Sequence, residues 1–540
     1  MEIDIENGID KQKLGKQTVS NKFVKTMINI QQFLQPASYS EQGSSRIISI
    51  DVLRGIAIFC TCFIHEVSLF LDVNIILKLK MPEALLGYII GIPSMLFSQW
   101  KTLFTIICGM TYAYLGNDAL WSVKKLSIEC LKRTIVSFIQ LPLFFFFNVL
   151  LMYIWLLDYY WKKTTYHPFV EKWYNIQITD SAACWFYGCT FCFLHLIAYS
   201  VNLIAKAFQR KSTPQHVIYY QRAVIYMIYA IIIGFVTNQV QVSTFKFLKN
   251  KYPATFANVN MLECAASSLG NQFSPNARQG LQNLFIAFVS GAQCFVFPLW
   301  TNLFFGCMFG CFFRAVVLRK QQINNHSWII LRKRYLFIFG FSFVIPLILW
   351  GFQSWITISD IKAGRRTHFQ SVKRLATGEF YYNCYMPELV FFDDIFMFLA
   401  VFTIFYLFDA QTFNKSIVRT NNSLYLRRFS TGSLTCYVFS PVLGGFIRGL
   451  LPSFNKQSMY QFFGIELLVF IIQLFMFIGL DHSDWMFTPD WIVSFTAKAF
   501  QCKFKCGKFT GGSHLKVKPI NLFEKVDTYE KIGDVEAATE

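Results

Sequence analysis

Hydrophobic residues in this chain come in long unbroken blocks, and polar residues are confined to the stretches between them. The block TIVSFIQLPLFFFFNVLLMYIWLL, residues 134–157, is representative. At about 1.5 Å per residue, roughly twenty residues cross a hydrocarbon core of about 30 Å. A backbone in lipid must satisfy its own hydrogen bonds, and the blocks lack the alternation of a barrel strand, so each predicts a helix. The pattern places spans near 48–72, 98–116, 134–157, 183–207, 217–240, 281–313, 334–353, 388–408, 433–451 and 459–480. Interval 281–313 is too long for one straight helix and carries Pro298. It predicts either one kinked span or a half-span followed by a full one. Segment 84–97, LLGYIIGIPSMLFS, is too short to span and reads as re-entrant or interfacial on the outer side. The expectation is an all-α polytopic membrane protein, a bundle of ten helices, or eleven if 281–313 crosses twice. A polar tail (1–47) precedes the membrane domain (48–495), and a basic then acidic tail (496–540) follows it. We find no internal repeat and no soluble domain.

Composition agrees. Only 15% of residues are charged, 54% are hydrophobic, and the mean hydropathy is +0.39. A soluble domain uses about a quarter charged residues to cover its surface. The 61 phenylalanines are spread over nearly every block, as lipid-facing bulk requires. The net charge of +19 sits in loops and tails, where it sets topology and meets anionic lipid head groups. No basic soluble module exists to bind nucleic acid. With the amino terminus inside, the inner loops are 117–133 (Lys124, Lys125, Lys132, Arg133), 314–333 (Arg314, Arg319, Lys320, Arg332, Lys333) and 409–432 (Lys415, Arg419, Arg427, Arg428). That obeys the positive-inside tendency if 281–313 crosses once, which puts both termini inside. The long outer loops are then 158–182, 241–280 and 354–387. Sequons at Asn325, Asn414 and Asn421 fall inside and are expected to carry no glycan. The acidic start MEIDIENGID fits neither a transit peptide nor a secretory signal, so the first span is expected to insert uncleaved. Most of the 15 cysteines fall inside spans as reduced thiols, and Cys502 and Cys506 lack the partner pair of a zinc site. No metal site is expected.

Candidate chemistry concentrates in SIDVLRGIAIFCTCFIHEVSLF, residues 49–70, which places Asp51, Arg54, His65 and Glu66 in or beside a helix. Ionisable groups are costly to bury there and mark functional sites by default. Arg54 and His65 are eleven residues apart. That is three turns plus about 20°, so both face one side, about 16 Å apart along the axis. They could line one polar tunnel. Arginine suits a phosphate-bearing donor, because its fork is permanently charged. Histidine suits proton abstraction or transient acyl transfer. In the plainer reading, Asp51 pairs with Arg54 at the membrane surface and His65 bonds a carbonyl. His195 lies between Leu194 and Leu196 and serves either a ligand or helix packing. Asp393 and Asp394 would cap the outer end of their span or bind a cation, and Glu466 would snorkel or pair with a lysine. No phosphate-binding loop, dinucleotide fingerprint, Gly-x-Ser-x-Gly elbow or His-Glu-x-x-His helix is present, which disfavours ATP-driven transport, dehydrogenation and serine hydrolysis.

An arginine followed by ten residues and a histidine, inside an Asp-x-x-Arg-Gly first span, resembles the transmembrane acyltransferase superfamily. That group includes the heparan-α-glucosaminide N-acetyltransferases and the acyltransferase-three proteins. The similarity recurs in order. WKTLFTIICGMTYAY (100–114) is similar to the second span, and GCTFCFLHLIAYSVNLI (188–204) to the Gly-x-Leu-His span, with His195 at the histidine position. FPLWTNLFFGCMFG (297–310) resembles the Phe-Pro-Leu element. STGSLTCYVFSPVLGG (430–445) resembles the late Ser-Leu-Thr-x-Tyr span, and DWMFTPDWIVSF (484–495) the closing Pro-x-Glu-Trp segment. Two departures stand out. Tyr437 is followed by Val438, Phe439 and Ser440 where several relatives place a histidine, and the outer His-x-x-Trp-x-Gly element is absent between His65 and Trp100.

The resemblance implies acyl transfer from acyl-coenzyme A at the inner face to an acceptor reaching the site from outside. Arg54 would orient the donor, His65 would act as base or acyl carrier, and Asp51 and His195 would help bind substrate or donor. The alternative is a non-catalytic accessory or scaffold subunit that keeps the fold, with no cofactor. Its tails would run along other subunits of a large assembly, for example in the mitochondrial inner membrane. A transporter of an acylated or glycosylated lipid is a third reading, disfavoured by the lack of repeated halves. The expected location is an organelle membrane, mitochondrial or endolysosomal.

Overall fold

The computed structural model describes residues 47–70, 100–116, 122–161, 183–210, 213–251, 296–363, 387–411, 422–450, 459–483 and 487–500. It also describes a few single positions and pairs, among them 485 and 522–523. Side chains 64–70 and 148–161 are among those outside this description. The described residues contain no strand. The helices are α1 (Ile48–Phe70), α2 (Trp100–Leu115), α3 (Val123–Trp161), α4 (Ala183–Ala207), α5 (Gln215–Lys251), α6 (Val296–Gln322) and α7 (Asn325–Gly340). After a 3-10 turn, Phe341–Phe343, come α8 (Val344–Lys362), α9 (Pro387–Asp409), α10 (Leu424–Thr431), α11 (Ser433–Leu450), α12 (Met459–His482) and α13 (Pro489–Phe500).

Seven helical stretches among the described residues are long and apolar enough to cross a membrane. Their polarity is inverted relative to a soluble bundle. Phe475 and Leu467 are 67% and 62% exposed, while Asp394 and Arg427 are 0% and 1% exposed. The stretch Tyr460–Leu480 has a mean hydropathy of 2.4 with only 33% of it buried. Apolar surface left outside and charge taken inside is the arrangement that lipid demands. The chain is an all-α membrane protein.

The centre of the bundle is α6, whose apolar window is 83% buried. It lies against α5 and α2. Small residues set the α2–α6 distance. A methyl built on Gly306 would lie 2.7 Å from the Ile106 carbonyl carbon, and methyls on Gly109 and Gly310 would lie 2.9 Å from the amide nitrogens of Cys307 and Tyr114. Only hydrogen fits there, so the two backbones meet as small-residue helix pairs do in lipid.

Helices extend beyond the expected spans. Lys124, Lys125, Lys132 and Arg133 stand on α3, Arg314, Arg319 and Lys320 on α6, and Arg332 and Lys333 on α7, not on loops. The outer loops drawn at 241–280 and 354–387 begin late for the same reason, since α5 runs to Lys251 and α8 to Lys362. Likewise α13 passes the boundary drawn at 495. Hydropathy registers only the lipid-facing part of a helix, whereas the backbone ladder continues into the head-group region. Arg427 and Arg428, assigned to a loop, lie on α10 and are buried. Asp393 and Asp394 do not cap a surface, and Glu466 does not snorkel; all three are buried within the bundle. The Asn302 amide nitrogen, in the orientation its neighbours require, stands 2.8 and 2.9 Å from the two Asp394 carboxylate oxygens.

Within 281–313 the break falls at Phe297, whose φ of −106° and ψ of 103° leave the helical region. The residue before a proline is pushed toward extended geometry, so Pro298 opens the main helix. Segment 84–97, Asn414, Asn421, Cys502 and Cys506, and most of both tails lie outside the described residues. Leu522 and Phe523 are an exception, fully buried in the bundle of the same chain. The Phe523 amide donates to the Asp409 carbonyl at 2.9 Å, and Arg332 donates to the carbonyls of Phe523 and Ala410.

Candidate functional site

Arg54 and Gly55 stand together on α1. A methyl on Gly55 would come within 2.6 Å of the Leu426 carbonyl carbon, so glycine is what seats α1 against α10. The same helix also packs on α11 and α2. Arg54 is thereby held among three neighbours, half-buried, with Nη2 donating to Thr111 Oγ1 of α2 at 2.8 Å.

The closing segment reaches this point through an irregular turn. Trp485 and Phe487 adopt left-handed backbone angles, φ 58° and 62°, which residues with a side chain rarely take. Trp485 is buried, and its ring covers Gly432, the residue joining α10 to α11. The turn delivers Thr488, whose Oγ1 accepts from the Trp491 amide at 3.3 Å and so caps α13. Two residues later Asp490, in the first turn of α13, faces the start of α11. Its carboxylate accepts from the Leu434 amide at 3.2 Å, the Thr435 amide at 2.7 Å and the Thr435 hydroxyl at 2.6 Å. Those amides are the donors a helix start leaves without partners. Burial pushes the Asp490 carboxyl above the usual carboxylate range. The Thr435 hydroxyl, the two amides and the Arg54 charge pull it back down. The result is two bonded pairs, Arg54 with Thr111 and Thr435 with Asp490, from helices far apart in sequence, with the Arg54 charge acting on the Asp490 carboxyl.

The sequence-derived candidates distribute differently. His65 lies on α1, three turns beyond Arg54, and its side chain is outside the described residues. Asp51 is fully buried at the start of α1 beside Asp409, whose carboxylate is within bonding reach of the Ser49 and Leu522 amides. His195 belongs to another network. Its Nδ1 is 2.9 Å from the Tyr112 hydroxyl of α2, and its Nε2 is 3.2 Å from Ser137 Oγ of α3. Thr111 and Tyr112 are consecutive on α2, about 100° apart. One faces Arg54 and the other faces His195, so α2 stands between the two groups.

Asp490, Thr435 and Thr111 were not among the candidates. The signal for Asp490 was available: an acid directly before Trp491 in the segment that resembles Pro-x-Glu-Trp. Nothing in the sequence marks Thr111 or Thr435, because threonine is common in helices that pack in lipid. Among the described residues, no group of three or more His, Cys, Asp or Glu side chains could hold a metal ion.

Comparison with known proteins adds no relative. No family model, no curated protein and no solved structure matches this chain. Functional inference therefore rests on the residues and their geometry.

Proposed function

We propose that this is a ten-span membrane acyltransferase, with both termini on the inner side and acyl-coenzyme A as donor. Arg54 orients the donor phosphates, and His65 acts as base or acyl carrier toward an acceptor arriving from the other side. One observation carries the reading. Four of the six stretches that resemble the acyltransferase superfamily supply two hydrogen-bonded pairs, Arg54 of the first with Thr111 of the second and Thr435 of the late span with Asp490 of the closing segment, and the Arg54 charge acts on the Asp490 carboxyl. The guanidinium fork suits a phosphate, and a low-dielectric setting strengthens any anion it meets. Basic helix ends carrying Lys124, Lys125, Arg319 and Lys320 would face anionic head groups on the donor side.

The test is binding of a non-hydrolysable acyl-coenzyme A thioether to purified protein by calorimetry. Arg54→Gln removes a charged hydrogen bond worth about 1.5–3 kcal/mol, so affinity should fall about ten- to a hundredfold in protein that still folds. Equal affinity in both proteins would refute the role.

The scaffold reading keeps one observation in its favour. Asp490 already performs a framework task, capping α11, and Leu522–Phe523 of the carboxyl tail is bound by the bundle itself. A chain that purifies only within a larger complex and turns over no acyl donor would belong to that reading.

A further inference from the structure

Between α11 and α12 lies a cavity of about 310 Å³. Its walls include Val442, Leu443 and Phe446 on one side and Ile472 and Met476 on the other. Of the polar side chains in the lining, Gln473 donates through Nε2 to Ser440 Oγ at 3.1 Å. Water needs several polar partners to settle in a cavity, and an apolar void left empty forfeits the dispersion contacts of its lining. The occupant it fits is hydrocarbon.

Shape narrows the choice. The floor is formed by Cys436 and Phe477, both buried, whereas Phe439 and Phe446 are exposed on the apolar outer surface of the bundle. The cavity therefore opens sideways, where the bilayer would lie, and not toward an aqueous end. From Cys436 to Phe446 the helix rises about 15 Å. The volume holds roughly ten groups of the size of a water, about 30 Å³ each. Length and volume both match a stretch of about ten methylenes.

We propose that this cavity is a lateral binding site for one acyl chain of a membrane lipid, entering between α11 and α12. The site stands independently of acyl transfer. Its floor residue Cys436 follows Thr435, the residue that binds Asp490, in the first turn of α11.

The experiment is photolabelling of the intact protein in membranes containing a phosphatidylcholine with a diazirine on its acyl chain, followed by peptide mapping. Label should concentrate on 436–446 and 472–477 above the level at Ile348, an outward residue of α8. Filling the cavity by Leu443→Trp, or separately by Val442→Phe, should cut that label about tenfold, the factor carried by about two buried methylenes. Label at Ile348 should not change. The wild-type map needs no variant and tests the proposal by itself. Three results would overturn it: cavity labelling no denser than at Ile348, cavity labelling that survives both fillers in folded protein, or a polypeptide segment found in the cavity in place of lipid.

Discussion

Replacing Gly306 by alanine should destabilise the protein, although alanine is the better helix former. The new methyl would stand 2.7 Å from the Ile106 carbonyl carbon, and ordinary carbon–carbon contact needs about 3.5–4.0 Å. The backbones of α2 and α6 must therefore part by about 1 Å. Neither helix can yield cheaply, because α6 is 83% buried in its apolar window and touches α5 on another side. Overpacking of this kind costs about 1–3 kcal/mol, against a propensity gain of about 1 kcal/mol. The movement also draws Thr111 of α2 away from Arg54, a bond now 2.8 Å long. Gly464 and Gly479 supply the control, since a methyl at either meets nothing within 4 Å. Thermal melting in detergent, followed by fluorescence-detected size exclusion, should show Gly306→Ala below wild type and Gly479→Ala at or above it. The net cost, up to about 2 kcal/mol, corresponds to up to about 2 °C at this chain length, from an unfolding entropy of about 2.1 cal/mol/K per residue. Gly306→Ala and Gly479→Ala melting together would refute the claim that bare backbone contact sets the α2–α6 distance.

Other changes have equally definite expectations. Asp490→Ala leaves the Leu434 and Thr435 amides without their acceptor and should cost about 1–2 kcal/mol in the same melt, while Asp490→Asn, which keeps one acceptor oxygen, should cost less. Asn302→Leu removes the amide facing Asp394 and should cost about 1–3 kcal/mol, with Asn302→Asp worse because it adds a second buried acid. Phe523→Ala empties a site between Phe313 and Phe339, now 6.3 and 6.4 Å away between ring centres. Limited proteolysis near residue 523 should become faster than in wild type, with α6 and α9 still folded.

What the sequence revealed follows from the physics of each signal. Blocks such as 134–157 marked helices because lipid permits few other backbones, and Pro298 marked a break because proline constrains the residue before it. Helix ends were read too short, since a rule keyed to apolar residues stops at Arg133 or Arg314 while the hydrogen-bond ladder continues. Charge was misplaced at Arg427, Arg428, Asp393, Asp394 and Glu466. A charge near the end of an apolar block resembles an interfacial anchor, and only tertiary packing distinguishes it from a buried framework group. At the site, spacing within α1 singled out Arg54, because 3.6 residues per turn is a local property. Its partner Thr111 could not be read, since α2 meets α1 only in the folded bundle, and Thr435 likewise meets Asp490 only when α11 and α13 pack together.

The central claim is best tested by measuring release of free coenzyme A from acyl-coenzyme A by the purified protein, in wild type and in His65→Ala. Acyl transfer predicts turnover in wild type and a loss of at least about a hundredfold in the variant, the usual worth of a general base. The yield of folded protein in native gels should not change. No turnover by wild type with any acyl donor, together with purification only as part of a stable larger complex, would contradict the account.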